Sequence, residues 1–157
     1  MVAVFFENRL SLQRVSGMLY YSLGEAMLKY LKQLNRQTEV HGKTIEIINK
    51  PIYQYFDDLL VPALTTFKGR ISATKKIYHY HKLTPLYISS TCLLIPTNNK
   101  RSLDNIYINL YSIKTVVNIN GETLIKFQDN DTLLLANSYK QFMKLITRAR
   151  NIIAPIN

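Results

Sequence analysis

The segment from Ile106 to Ile153 constrains the fold most strongly, because its apolar pattern predicts three short strands followed by one helix. The strands are predicted at Ile106–Ile119, Glu122–Phe127 and Thr132–Ala136. Asn120-Gly121 joins the first two as a type I′ turn, since both residues tolerate the positive φ that this turn requires. The pattern therefore predicts an antiparallel sheet closed by a C-terminal helix.

The closing helix is predicted to begin after Ser138, or after Asn137 beside it, since either side chain can cap a helix N-terminus. Before it, Gln128–Asp131 forms a second turn, in which Asn130 is the candidate for a left-handed conformation. The apolar face of the helix consists of residues at helical spacing: Phe142, Leu145, Ile146, Ala149, Ile152 and Ile153. Another face carries cations four residues apart: Lys140, Lys144 and Arg148. Because no acid occurs from Thr132 onward, this helix presents only positive charge to solvent.

The chain of 157 residues is predicted to be one domain, 1–157, because its length suffices for a hydrophobic core and no linker-like stretch divides it. Apolar residues at 47% and charged residues at 19% are typical of a globular protein. We predict an α+β fold with an antiparallel, barrel-like β-core over residues 44–153. The C-terminal amphipathic helix closes this core, a helical segment precedes it, and the role of residues 1–40 is left open. Cys92 lies in an apolar run and is predicted to be a small buried hydrophobe.

The N-terminal half has a less regular pattern. Ser22–Glu25 matches a capping box, and the apolar spacing that follows predicts a helix from about Leu23 to Arg36. Thr44–Ile48 is predicted as a short strand. Asp57 and Asp58 are adjacent and therefore point in different directions, which argues against a general acid–base pair. We interpret them as a helix start or a solvated loop.

In the middle of the chain, side chains of different types alternate along the sequence, a pattern typical of strands. Lys75–Lys82 is predicted as one strand. One of its faces would carry Ile77, His79 and His81, and the other Tyr78 and Tyr80. Leu86–Ile88 and Thr91–Ile95 are further predicted strands, and Pro85 and Pro96 mark strand ends.

Charge is the feature that bears most directly on function. Twenty Lys and Arg against ten Asp and Glu give a net charge of +10, which favours a polyanionic partner, either nucleic acid or an acidic membrane surface. No acid occurs from Leu59 to Leu103, whereas this segment carries Lys68, Arg70, Lys75, Lys76, Lys82, Lys100 and Arg101. Soluble surfaces usually mix both signs, and a phosphate-binding site supplies the missing counter-charge. A basic but inert surface is the alternative.

Other chemistries find little support in the sequence. His79 and His81 lack a third nearby ligand, so no metal is predicted. Asp129–Asp131 resembles the start of a calcium loop but lacks the glycine and glutamate that complete it. There is no glycine-rich phosphate loop and no nucleophile elbow, so we predict no enzyme, no cofactor and no small-molecule substrate. No run approaches the ~20 apolar residues that span a bilayer and no signal peptide is evident, so a cytoplasmic protein without membrane partners is expected.

The second two-thirds of the chain resembles the ComK family of bacterial competence transcription factors. The matching pieces follow the family's order: Lys50-Pro51, Gly69-Arg70, His81-Lys82 with Pro85, Leu94–Thr97, Tyr107-Ile108, Ile113-Lys114, Phe127, Leu135 and Ser138–Phe142. The resemblance covers about Lys50 to Ile153. It implies a DNA-binding core that binds A/T-rich promoter boxes as a homo-oligomer, largely through the minor groove. It further implies a nucleoid-associated activator of DNA-uptake genes that acts on RNA polymerase indirectly.

The chain also departs from the family pattern. Asp57–Leu60 and Ala63–Thr66 replace the usual Ser-Cys and Gly-Ser-Ser segments, and Asp129-Asn130 replaces an Asn-Gly turn. Longer members carry a further tail, at which they meet an adaptor for regulated proteolysis. The sequence ends at Asn157, so whether this control applies is left open.

Candidate DNA-binding residues follow from the charge pattern. Narrow minor grooves of A-tracts attract cations held on loops, which suits the loop residues Asn98, Asn99, Lys100 and Arg101 and, as a second candidate, Arg70. Phosphate contacts are predicted for Lys75, Lys76 and Lys82. The stripe Lys140, Lys144 and Arg148 either binds phosphates as well or only solvates its face.

Two alternative functions remain open at this point. A single-stranded nucleic-acid binder would stack bases on Tyr78, Tyr80 and Tyr87 beside the lysines. A regulatory domain that interacts with other proteins would use its charge for solubility or for an acidic partner, and would bind DNA without a steep salt dependence.

Overall fold

The structure, a computed structural model, describes residues 27–98 and 102–153, together with the backbone alone of residues 12–15 and 18–21. Two N-terminal strands, β1 (Leu12–Val15) and β2 (Met18–Tyr21), pair only with each other among the described strands. A six-stranded antiparallel sheet is formed by β3 (Tyr30–Gln33), β4 (Thr38–His41), β5 (Ile45–Ile48), β6 (Leu86–Ser89), β7 (Cys92–Pro96) and β8 (Ile106–Asn109). Its strand order is β5-β4-β3-β8-β7-β6.

A second sheet and three helices complete the described fold. The sheet has the order β11-β10-β9 and consists of β9 (Ile113–Ile119), β10 (Glu122–Phe127) and β11 (Thr132–Ser138). The helices are α1 (Ile52–Leu60), α2 (Phe67–Tyr78) and α3 (Tyr139–Ile153). The predicted α+β class, with antiparallel sheets and a C-terminal helix packed on them, is confirmed.

The strand–turn–strand pattern after Ile106 is confirmed with one change. The predicted first strand breaks into β8 and β9 at a 3-10 turn, Leu110–Ser112, where the Asn109 side chain accepts a hydrogen bond from the Tyr111 amide at 3.3 Å. This break sends β8 into the six-stranded sheet and β9 into the three-stranded sheet.

The predicted turn and cap residues adopt the expected conformations. The φ angles are 51° at Asn120, 89° at Gly121 and 69° at Asn130, all in the left-handed region. The Ser138 hydroxyl accepts a hydrogen bond from the Gln141 amide at 3.2 Å, which confirms it as the cap of α3.

The helix predicted from Leu23 to Arg36 is wrong in the part that the structure describes. Residues 22–26, including the proposed capping box, lie outside the described residues, and Tyr30–Gln33 forms β3. β3 pairs with β4 on one side and β8 on the other, and Leu31 is fully buried. Pairing with the adjacent β4 and with the distant β8 has overridden the local helical spacing. Two helices do precede β6, but they are α1 and α2.

The strand predicted at Lys75–Lys82 is also wrong, because α2 occupies this segment as far as Tyr78. The Thr66 hydroxyl caps α2 by accepting a hydrogen bond from the Gly69 amide at 3.0 Å. His79 ends the helix in a left-handed conformation, with φ 59°, and donates its amide hydrogen bond to the Lys75 carbonyl. The faces predicted from strand alternation therefore do not exist.

Asp57 and Asp58 lie in the second half of α1, and are neither at a helix start nor in a loop. The Asp57 carboxylate accepts a hydrogen bond from the Phe67 amide at 2.7 Å, while Asp58 pairs with the Lys50 ammonium. The two acids thus point to different partners, as adjacent helical residues must.

The other predicted strands are confirmed as β5, β6 and β7, with Pro85 just before β6 and Pro96 at the end of β7. A first core packs α1 and α2 against the six-stranded sheet around Leu31, Phe56 and Leu94. Cys92 packs half-buried against this core, and burial raises the pKa of its thiol to about 12.

A second core lies under α3. Phe142, Leu145, Ile146 and Ala149 are buried there, as the helical spacing predicts. Ile152 is half-buried and Ile153 is 37% exposed, so the apolar face weakens in the last turn. No helix in the described part of the chain is both long enough and apolar enough to cross a bilayer.

Candidate nucleic-acid interface

The amphipathic arrangement of α2 determines where its cations lie. Phe67 and Thr74, seven residues apart, are buried, and the Phe67 ring packs 4.9 Å from Tyr53 and 5.6 Å from Phe56. Lys68 and Lys75 are exposed on the flank of this buried side, and Lys76 is exposed on the opposite side of the helix. Lys75 and Lys76 also occupy the last turn, where positive charge interacts favourably with the helix dipole.

A groove of about 310 Å³ runs beside α2. Besides Tyr107, its polar lining residues come from α2, from the segment that follows α2 and from the loop after β7: Lys68, Ser72, Lys75, Thr84 and Asn98. We call these five residues the basic groove. The ammonium groups of Lys68 and Lys75, the Ser72 hydroxyl and the Asn98 side-chain amide can donate hydrogen bonds to phosphate oxygens. The Thr84 hydroxyl already donates to the Tyr80 carbonyl at 3.3 Å.

The base of the loop after β7 lies at this groove and is held in place by hydrogen bonds. The Asn98 amide donates a hydrogen bond to the Asn105 side-chain carbonyl at 3.0 Å, and the Asn105 amide group donates to the Asn98 carbonyl at 2.9 Å. Asn137 in turn donates to the Thr97 carbonyl at 2.7 Å, which ties the loop base to β11. The predicted groove-reading residues Asn99, Lys100 and Arg101 lie outside the described residues.

Arg148 brings α3 into contact with the segment after α2. Its guanidinium donates a hydrogen bond to the Lys82 carbonyl at 2.8 Å and lies 5.3 Å from the centre of the Tyr80 ring. The Tyr80 hydroxyl donates back to the Arg148 carbonyl at 3.3 Å. Arg148 therefore holds Lys82 in place, while Lys140 and Lys144 are exposed on the same stripe of α3.

Arg70 is turned away from the basic groove. Its guanidinium donates to the Tyr87 carbonyl at 3.2 Å and lies 5.7 Å from the centre of the Tyr87 ring. Arg70 lines a different cavity, of about 470 Å³, together with Tyr78 and Tyr111. The structure thus separates Arg70 from Lys75, although the sequence analysis treated both as DNA-binding candidates.

Several acids of the described residues form contacts outside the basic groove. The described ion pairs are Lys29 with Asp129 and Asp131, and Lys50 with Asp58, while Glu39 is hydrogen-bonded to the His41 ring. None of these pairs includes a lysine of the basic groove. Asp104 follows the loop, and the Ser102 hydroxyl lowers the pKa of its carboxyl by donating a hydrogen bond to it.

The tyrosines proposed as base-stacking platforms already have partners. Tyr78 and Tyr80 stack on each other with ring centres 5.7 Å apart, and the Tyr78 hydroxyl donates to the Ile152 carbonyl at 3.4 Å. Tyr87 lies under Arg70. All three are half-buried and pack α2, β6 and α3 together. Within the described ranges, no three His, Cys, Asp or Glu residues are placed to hold a metal ion.

Three residues of the basic groove, Lys68, Ser72 and Thr84, are not among the DNA-binding candidates predicted from the sequence. Lys68 and Lys75 are seven residues apart, so they share a face only when the segment is helical. Thr66 is a suitable helix cap, and a helical register counted from it would have placed both lysines on one side. The strand assignment concealed this relationship.

The fold and this surface define a small α+β protein with a candidate nucleic-acid interface made by one helix, one loop base and the end of a second helix. A protein-family model described as ComK protein matches residues 21–157. The chain therefore belongs to the ComK family, which is a family of competence transcription factors. This confirms the resemblance seen over Lys50–Ile153 and extends it through β3 and β4. Neither the curated proteins nor the solved structures gave a match.

Proposed function

We propose that this chain is a transcription activator of DNA-uptake genes that binds double-stranded, A/T-rich DNA. The observation that supports this most directly is the basic groove, where Lys68 and Lys75 lie beside the base of a cationic loop without a paired acid in the described residues. Membership of a competence transcription factor family supports the same conclusion.

In the proposed complex the lysines and the loop have different tasks. Lys68, Lys75, Lys76 and Lys82 contact phosphates, which gives affinity and orientation but carries no sequence information. Lys140 and Lys144 extend this surface along α3. Asn98, Asn99, Lys100 and Arg101 enter the minor groove, whose narrow and strongly negative form in A/T-rich DNA attracts cations. Arg70 positions α2 on β6 and does not enter DNA.

The partners of the protein follow from this proposal. It assembles as a homo-oligomer on DNA in the cytoplasm, at the nucleoid, and it influences RNA polymerase through its position at the promoter. It acts without catalysis, cofactor or small-molecule substrate. The single-stranded alternative is less well supported, because Tyr78, Tyr80 and Tyr87 are half-buried and already stack or hydrogen-bond within the fold.

Fluorescence anisotropy with labelled duplexes tests the proposal. We expect A/T-rich duplexes to bind at least about tenfold more tightly than G/C-rich duplexes and than single strands of the same length. Arg101→Gln should reduce the preference for A/T-rich DNA, whereas Lys68→Gln with Lys75→Gln should weaken binding to all duplexes alike. Lys43→Gln, which changes an exposed lysine between β4 and β5, is the matched control. Equal, weak binding to both duplexes would refute the proposal.

A further inference from the structure

An apolar row, left uncovered by the described residues, crosses the outer face of the three-stranded sheet. Leu124 at the centre of β10 is directly opposite Val117 on β9 and Leu134 on β11. Directly opposite residues of antiparallel strands share a face, so these three side chains form one continuous row. Val117 is 42% exposed and Leu134 is 57% exposed, and Ile119 adds a further exposed side chain on β9.

The neighbouring row shows which face is covered. Val116, Ile125 and Leu133 are also directly opposite one another, one residue along, and all three belong to the core under α3. Because side chains alternate between the two faces of a strand, the row through Leu124 points away from α3. We call Val117, Ile119, Leu124 and Leu134 the outer apolar patch.

The charged residues on this face can pair with the same residues of a second copy. Glu122 and Lys126 are both exposed and stand two residues to either side of Leu124 on the same strand and the same face. Consider a two-fold axis that lies in the contact plane, runs perpendicular to β10 and passes over Leu124. Rotation about this axis reverses the direction of β10 in the second copy. It therefore places Glu122 of each copy opposite Lys126 of the other copy, and it stacks the rows through Leu124 on each other.

We propose that a second copy of this chain docks on the outer apolar patch through such a two-fold contact. The apolar row supplies the contact area, and the Glu122–Lys126 pairs at both ends fix the register and the antiparallel orientation of the two β10 strands. The contact leaves the opposite face of the sheet, on which α3 packs, free of the second copy. This inference names the surface for the oligomer in the proposed function, but it does not depend on DNA binding.

The area of this face determines how strongly two copies are expected to associate. Three strands about 4.8 Å apart and roughly six residues long, at about 3.3 Å per residue, present a face of roughly 300 Å². This is well below the approximately 800 Å² per partner of a standard interface. We therefore expect a weak dimer that forms at concentrations on the order of 100 µM in solution and that two adjacent DNA sites would reinforce.

Sedimentation equilibrium of the intact protein without DNA, up to about 500 µM, tests the contact. Leu134→Lys should abolish dimerisation. Glu122→Lys and Lys126→Glu should each weaken it about tenfold, and the double variant should restore it, because the swapped charges again face each other. Lys126→Glu lowers the net positive charge, so general repulsion alone would predict stronger association for this variant.

Leu64→Lys is the matched control, since Leu64 is 94% exposed and lies far along the chain from β9–β11. It should dimerise like the wild type, and thermal unfolding monitored by circular dichroism should show that every variant folds. A wild type that stays monomeric, a Leu134→Lys variant that dimerises normally, or a double charge swap that fails to restore the dimer would overturn the inference. Each result is independent of whether the protein prefers A/T-rich DNA.

Discussion

At the scale of single residues, Lys29 shows how the fold uses its few acids. The Lys29 side chain is only 10% exposed, and its ammonium lies 2.8 Å from an Asp131 oxygen and 3.0 Å from an Asp129 oxygen. Burial acts to lower the pKa of Lys29, but hydrogen bonds from Lys29 to Asp131 and Asp129 outweigh burial and raise it. The same contact lowers the pKa of Asp131. These contacts fasten the β10–β11 turn to the residue before β3.

Replacing Asp131 by Asn should remove a stabilisation that depends on pH. Because the folded-state pKa of Asp131 is depressed, its contribution is present above its unfolded pKa of about 3.9 and is lost as pH falls through the lower folded value. We expect Asp131→Asn to cost about 1 kcal/mol near neutral pH, since Asp131 is half exposed and Asp129 remains. Urea unfolding should show this cost shrinking below about pH 4. Glu46→Gln is the control, and a cost that persists at low pH would contradict the mechanism.

Asn109 is a residue whose importance the sequence could not reveal. Its buried side chain donates to the Leu28 carbonyl at 2.8 Å and to the Thr91 carbonyl at 3.2 Å, and it accepts from the Leu93 amide at 3.2 Å. These partners lie 16 to 81 residues away in the chain. No local pattern can indicate such contacts, whereas Asn120 and Asn130 were predictable because their turns depend on their own backbone angles.

At the scale of elements, the same distinction explains which parts of the fold were predictable. β9, β10 and β11 follow one another through short turns, so alternation and turn residues sufficed to predict them. β3 was predicted as a helix because its apolar residues have helical spacing, whereas its central place in the sheet depends on pairing with the distant β8, where Tyr30 is opposite Ile108. α2 was partly predicted as a strand because its last turn and the segment after it happen to alternate tyrosine with histidine.

The candidate site was predictable from the sequence to the same extent as the fold: some of its residues were predicted correctly and others were not. The exposed Lys75, Lys76 and Lys82 could be predicted from composition, because an acid-free segment is visible without knowing its conformation. Lys68 required the helical register of α2, and the inward role of Arg148 required knowledge of which segment lies beside α3. Charge was therefore readable from sequence, whereas its arrangement in space was not.

Arg148 gives a test of element packing that separates charge from geometry. Arg148→Lys keeps the charge but loses the planar group that covers Tyr80 and donates to the Lys82 carbonyl. We expect Arg148→Lys and Arg148→Gln to destabilise the protein similarly, by about 1 kcal/mol in urea unfolding. Lys144→Gln, one turn earlier on the same stripe, should change stability by less than about 0.5 kcal/mol. Full retention of stability by Arg148→Lys would show that only its charge matters.

At the scale of the whole molecule, most described acids form contacts within the fold, whereas the lysines of the basic groove form no described ion pair. Of the described acids, Asp129, Asp131 and Asp58 form ion pairs, Glu39 is hydrogen-bonded to His41, and Asp57 accepts a hydrogen bond from the Phe67 amide at the start of α2. These acids therefore neutralise or order local structure. The lysines of the basic groove have no such partner among the described residues. This leaves much of the net charge of +10 available to an external polyanion.

The salt dependence of DNA binding measures how much of that charge contacts phosphate. Each phosphate contact steepens the fall of log affinity with log salt by about 0.9, because binding releases condensed counterions. Lys68→Gln combined with Lys75→Gln should therefore reduce the slope by about 2 between roughly 50 and 300 mM salt, while Lys43→Gln should leave it unchanged. Anisotropy titrations on one A/T-rich duplex give both slopes. If the double variant binds more weakly but with the wild-type slope, the two lysines support the fold of α2 and do not contact the DNA backbone.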